Sequence, residues 1–178
     1  GIAYVAISAF LFGCMPLLAK NIYLLGGNPI TLVFHRFSLA LPTLFILIRK
    51  DFHSLTKDEF VKITILSFGF AGTPILLFTS YNYIASGTST AIHFMYPIFV
   101  VLAYGIFFRQ KISIVKVICT VLSTVGILLF YTNNQRNIIG ILIAFASAIS
   151  YAFYIVYLDR SGLKTMPSFK LTFYLSAI

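Results

Sequence analysis

Two side chains in this sequence stand where chemistry is hard to avoid. Arg36 lies in an apolar run opened by Pro29, which puts it about 10 Å into a helix. If that run crosses a bilayer, a guanidinium at mid-depth costs about 2.5 to 3.5 kcal/mol, and less where it can reach the interface. Two arrangements offset the cost. Either Arg36 faces a watered cavity and grips a carboxylate or phosphate, or it snorkels outward or caps carbonyls freed near Pro42. His35 is turned about 100° away on a helix, so both cannot point inward equally well, and Arg36 is the better candidate. His93 has polar company. Ser86, Ser89 or Thr90, His93 and Tyr96 recur at helical steps and form one stripe. Pro97 removes the N–H that would bond the His93 carbonyl. Such a break is tolerated at membrane depth where a cavity or a neighbouring helix satisfies the backbone. His93 therefore lines a pathway or makes a structural hydrogen bond to the third or fifth span. Tyr151 and Tyr154 share a face with Ser147 and Ser150, and Thr120, Ser123 and Thr124 lie further back. These hydroxyls line the same pathway or simply bridge helices. Pro16, Pro42 and Pro97 are the candidate helix breaks and gating points. Tyr81, Asn82 and Tyr83 read as an interface anchor.

Other chemistries find little footing. Ser86 and Ser89 beside His93 make a minimal hydrolase pairing, but no glycine loop for an oxyanion and no second partner histidine presents itself. No residue is assigned a catalytic role. No metal cluster, phosphate-cradling loop or cofactor motif is evident, so neither metal nor cofactor is expected. No acid falls inside an apolar run, so no carboxylate is in place to trade a proton for a cationic substrate. Arg36 and the histidines point to an anionic or zwitterionic small molecule, and His35 or His93 are the groups able to carry a coupling proton. An intramembrane hydrolase and a non-transporting membrane scaffold remain the competing classes.

The elements that must position these residues are apolar and long. Ile63 to Phe108 contains no Asp, Glu, Lys or Arg. A hydrocarbon core about 30 Å thick takes about 20 helical residues to cross, so this stretch is a hairpin of two crossings turning at 81–87. Across the chain, 60% of residues are hydrophobic and 10% are charged, with mean hydropathy +0.97. A soluble domain carries about 25% charge. The expected class is all-α, a polytopic bundle of transmembrane helices. Seven spans are expected: 2–22, 29–48, 63–80, 88–108, 113–131, 138–158 and a seventh from 168, cut off at Ile178. Gly26-Gly27 ends the first and Pro29 opens the second. Thr56 and Glu59 fit a capping box ahead of the third.

The charge of +9 is topology rather than an affinity for nucleic acid. Loops after the even-numbered spans hold ten basic residues, and the opposite loops hold Lys20 and Arg136. The positive-inside rule then puts the visible N-terminus in the cytoplasm of a multi-pass cell-membrane protein. Cys14 and Cys119 fall at opposite depths, too far apart for a disulfide.

A shift of 139 residues lays the sixth span on the first. Gly1-Ile2 meets Gly140-Ile141, and Ser8-Ala9 meets Ser147-Ala148. The small residues Gly140, Ala144, Ala148 and Ala152 form a stripe that lets helices approach closely. Its counterparts are Gly1, Val5, Ala9 and Gly13. The repeat unit has an odd helix count, so a second copy inverts in the membrane. The domains expected are a first five-helix repeat over 1–132 and the start of a second over 138–178. On this reading the chain is a fragment of a protein about twice the repeat length.

The whole chain resembles the drug/metabolite transporter superfamily, and within it the EamA-type ten-helix transporters. The resemblance is carried by Tyr81-Asn82-Tyr83-Ile84-Ala85-Ser86-Gly87-Thr88-Ser89-Thr90-Ala91, by Tyr96-Pro97-Ile98-Phe99, by Phe107-Phe108-Arg109-Gln110-Lys111-Ile112-Ser113 and by Gly126-Ile127-Leu128-Leu129. Arg36 within Phe34-His35-Arg36-Phe37 also looks like the family's. Gln110 replaces a usual Glu, Cys119 an often-seen Gly, and no Trp stands near Phe12 or Tyr151. The resemblance implies carriage of a metabolite across the cytoplasmic membrane, often export, by alternating access. The partners expected are a small-molecule substrate, the lipid bilayer, a proton and a second copy of the chain.

Overall fold

The computed structural model describes residues 2–49, 52, 55–110, 114–115, 118, 121–122, 125–126 and 137–178. Its regular elements are α1 (Ile2–Leu24), α2 (Pro29–Ile48), α3 (Lys57–Ser80), α4 (Ser86–His93), α5 (Tyr96–Ile106), α6 (Ile138–Arg160), a 3-10 turn (Leu163–Thr165) and α7 (Ser168–Ala177). Among the described residues, five stretches are long and apolar enough to cross a membrane: α1, α2, α3, α4 with α5 (Ser86–Ile106) and α6. The fold is thus an all-α polytopic bundle. Most of the expected fifth span lies outside the described residues, and so do Cys119, Thr120, Ser123 and Thr124. Cys14 is a free thiol.

Local chemistry starts the helices. Asn28 Oδ1 accepts the Thr31 N–H at 2.8 Å, with Pro29 in the first turn of α2. Thr56 and Glu59 form the capping box, Oγ1 accepting the Glu59 N–H at 3.2 Å and the carboxylate accepting the Thr56 N–H at 2.9 Å. Asn137 Oδ1 accepts from Ile139 at 3.1 Å at the head of α6. Gly26 turns the chain after α1 with φ of 87°, a left-handed conformation glycine adopts without a Cβ penalty.

The apolar faces point outward. Phe68 is 75% exposed on α3 and Leu39 76% exposed on α2. In a soluble domain such faces would be buried. Here they fit a hydrocarbon solvent.

The fourth span is not one helix around a mid-helix Pro97. It starts at Ser86, stops at His93 and restarts at Tyr96, with Pro97 in the first turn of α5. Pro97 cannot donate to the His93 carbonyl. The Met95 N–H bonds Ile92 at 3.0 Å and the Ile98 N–H bonds Met95 at 2.9 Å, closing a tight turn in place of the lost ladder. By contrast, α1, α2 and α3 stay helical through Pro16, Pro42 and Pro74.

The most extensive packing joins α3 to α6, antiparallel. The small stripe makes it possible: Ala144 and Ala148 are fully buried and Ala152 nearly so. A Cβ on Gly69 would stand 3.1 Å from Tyr154 Cβ, and one on Gly140 would stand 2.7 Å from Tyr83 Cβ. Ser150 Oγ, on α6, reaches Thr73 Oγ1 at 3.3 Å and the Gly69 carbonyl at 3.4 Å across this seam. The ends of α5 and α6 are tied separately. Tyr104 donates to Asp159 at 2.5 Å, Lys164 pairs with Asp159 at 2.9 Å, and the Arg160 guanidinium lies 4.0 Å from the Phe108 ring centre.

Candidate functional site

Beside the break between α4 and α5 the helices leave a cavity of about 720 Å³. Small-molecule pockets run from about 300 to 1,000 Å³. Its walls come from α1, α2, α3, the α4–α5 junction and α6. Of the residues singled out in the sequence, Arg36, His93, Tyr96, Tyr151, Tyr154 and Pro16 lie on the wall. Ser89, Thr90, Pro42 and Pro97 do not. Thr90 stands behind it, bonded to the Tyr81 hydroxyl at 3.0 Å and donating to the Ser86 carbonyl at 2.7 Å. Ser89 is fully buried, and its hydroxyl has no partner among the described residues.

Among the described residues, Arg36 is the one Lys, Arg, Asp or Glu on the wall. Among the described residues no carboxylate pairs with it. Arg36 lines the cavity, while His35 packs edge-on against Phe34 at 5.6 Å and is not on the wall. Of the two neighbours, helical geometry brings Arg36 and not His35 to the wall.

His93 is 3% exposed and bonds Ser147 of α6, Nδ1 to Oγ at 3.0 Å. Its partner is therefore on the sixth span, not on the third or fifth. The same serine donates its single proton to the Ala144 carbonyl at 2.6 Å. With that proton on the carbonyl, Ser147 accepts from His93, the arrangement of the neutral tautomer protonated on Nδ1. The other nitrogen, Nε2, has no partner among the described residues and is left as an acceptor. The serine–histidine pair is also unlike a hydrolase pair, because the hydroxyl of Ser147 is spent on a carbonyl. Ser86 and Ser89 make no bond to His93.

Aromatic rings form most of the remaining wall and run in contact. Phe37 stacks on Phe70 at 5.1 Å and 15°, and Phe70 meets Tyr154 at 5.8 Å. Tyr154 stacks on Tyr151 at 5.8 Å and 13°, and Tyr151 meets Tyr96 edge-on at 4.7 Å and 85°. His93 lies 5.5 Å from Tyr151.

Sequence reasoning misassigned Tyr81. It is 6% exposed and lines the cavity, because the turn after α3 folds it back onto Phe78 and Thr90, whereas Tyr83 stays exposed. Phe70, Thr73 and Pro74 of the third span also line the cavity, beyond the residues singled out in the sequence. The signal was present, since Thr73-Pro74 repeats in the third span the proline already weighed in the first, second and fourth. Among the described residues no group of His, Cys, Asp and Glu could hold a metal ion.

An uncharacterized transporter from Archaeoglobus fulgidus is 28% identical over 128 residues, covering 71% of this chain and 46% of that protein. The chain therefore spans about half the length of the curated relative it matches. No solved structure matches. The model of the EamA-like transporter family, a family of membrane transporters rather than enzymes, matches residues 1–132. With three quarters of its length so matched and five apolar helices to cross the bilayer, the chain is multi-pass and belongs to the EamA-like transporter family.

Proposed function

We propose that this chain is the substrate-binding part of a secondary-active transporter that moves a small anionic or zwitterionic metabolite across the cytoplasmic membrane by alternating access. The observation that carries the reading is Arg36, a single guanidinium on a 720 Å³ cavity with no counter-ion among the described residues. A guanidinium offers a fork of donors that matches a carboxylate or phosphate. The site residues assigned are Arg36, His93, Tyr96, Tyr151 and Tyr154 on the wall, and Ser89 and Thr90 behind it. The break before Pro97 is the gating point, with Pro16 and Pro42 as secondary bends.

The inverted-repeat reading, with 1–132 as one repeat and 138–178 as the start of the next, is supported by the small stripe of α6 recurring at the repeat offset. A cytoplasmic N-terminus is supported by the ten-to-two basic asymmetry of the loops. Export, a proton carried by His93, and assembly as a homodimer complete the reading. Export is proposed on the family resemblance alone.

The test is counterflow in proteoliposomes holding the full-length protein, using pooled small organic anions as the driving substrate. Arg36→Gln should lower the rate about 100-fold, as expected for an unpaired charged contact, and Arg36→Lys should recover part of it. A rate unchanged in Arg36→Gln would remove the anion reading.

A further inference from the structure

The cavity wall is unusual in its composition. Ten of its nineteen residues are Phe or Tyr, against 17% aromatic residues in the whole chain. Aliphatic side chains are few there, Leu77 and Met15 the largest. A pocket that only needed to exclude water could be built from the Leu, Ile and Val that dominate the outer faces. The rings also present both faces and edges. Tyr151 and Tyr154 are stacked at 13°, and Tyr96 stands at 85° to Tyr151. Ring faces are negative and ring edges positive, so a planar guest finds complementary partners that an aliphatic guest does not.

Besides the hydroxyls of Ser8, Thr73 and the tyrosines, the wall carries two nitrogen-bearing groups, and they are of opposite kind. Arg36 is a donor and a fixed positive charge. His93 is an acceptor at Nε2, because Ser147 takes up Nδ1–H. A guest that satisfied both would carry an anion toward α2 and a hydrogen-bond donor toward the α4–α5 break, with a flat ring between.

We propose that the substrate class is a ring-bearing aromatic acid with a second, hydrogen-donating substituent on the ring. Arg36 holds the carboxylate, the Tyr96–Tyr151–Tyr154 rings hold the guest ring, and His93 Nε2 accepts from the substituent. The proposal rests on the anion reading above and narrows it.

Calorimetric titration of the full-length protein in lipid nanodiscs tests it with five probes. These are benzoate, cyclohexanecarboxylate, 4-hydroxybenzoate, 4-methoxybenzoate and 4-hydroxybenzyl alcohol. Benzoate should bind about threefold to tenfold tighter than cyclohexanecarboxylate, the range expected from ring–ring contact beyond area burial. A similar margin should separate 4-hydroxybenzoate from 4-methoxybenzoate, which cannot donate. Tyr151→Leu should narrow the first margin, and Tyr151→Phe should keep it. Ser147→Ala frees the His93 tautomer and should narrow only the second. Equal binding of benzoate and cyclohexanecarboxylate, with both lost in Arg36→Gln, would overturn the aromatic assignment and leave the anion reading intact. Binding of 4-hydroxybenzyl alcohol as tight as 4-hydroxybenzoate would overturn both. Absence of saturable binding by every aromatic acid at millimolar concentration would overturn the proposal as well.

Discussion

The seam between α3 and α6 and the cavity beside it lie against the same two helices and follow opposite rules. The seam is made of the smallest residues, Gly69, Gly140, Ala144 and Ala148, and its hydroxyls are spent on nearby acceptors. The cavity is made of the largest rings and keeps polar groups in reserve, Arg36 and His93 Nε2. In lipid there is no hydrophobic drive to press helices together, so close van der Waals contact and satisfied hydroxyls must do it. A wall built to receive something else has the reverse need. Its groups are left unspent so that a guest can use them. Ser147 joins the two regions, facing Ala144 with its proton and His93 with its lone pair.

The largest effect that would break this contrast is at the cavity. Arg36→Gln should cost about 100-fold in transport while leaving thermal stability unchanged or slightly raised, since it removes a charge held at membrane depth. A matching loss of melting temperature would make Arg36 structural and erase the distinction. Gly140→Ala should do the opposite. Its Cβ would stand 2.7 Å from Tyr83 Cβ and 2.9 Å from an Ile84 methyl, and overpacking of this kind costs about 1 to 3 kcal/mol. Expect a clear drop in the midpoint of denaturant-induced unfolding in detergent, with ligand affinity retained in the folded fraction.

Ser147→Ala sharpens the comparison at its boundary. Hydrogen bonds between membrane helices average about 0.6 kcal/mol, so stability should fall little, while selectivity among ring substituents should weaken. The smallest effect is expected at Tyr104→Phe. Its bond to Asp159 joins α5 to α6 at an exposed end, and exposed contacts of this kind contribute about 0 to 1 kcal/mol. Stability should stay within that margin, and a larger shift in transport rate than in stability would identify the α5–α6 tie as part of the gate.

Much of the scaffold could be read from local chemistry. The capping box of Thr56 and Glu59, the opening of α2 at Pro29 and the turn after α3 each involve residues a few positions apart, and each is present as expected. The length and hydropathy of the spans are local too, which is why an all-α membrane bundle follows from composition. Residues marked by an unfavourable location, such as Arg36 in an apolar run, were also legible, because their cost does not depend on what they touch. The small stripe on α6 was visible as a pattern, although its partner on α3 was not.

What needed the tertiary structure involves pairs distant in the chain. His93 meets Ser147 across 54 residues, and Thr73 meets Ser150 across 77. No periodicity within one helix says which neighbour it will face, so the tautomer of His93 could not be derived in advance. Tyr81 turned inward for the same reason, since an aromatic at a helix end serves equally well as an interface anchor or as a wall. Hydropathy and cap chemistry determine that a segment is a helix and that it lies in lipid. Which of its faces closes a seam and which opens onto a cavity is decided only when small residues on one helix let another come near.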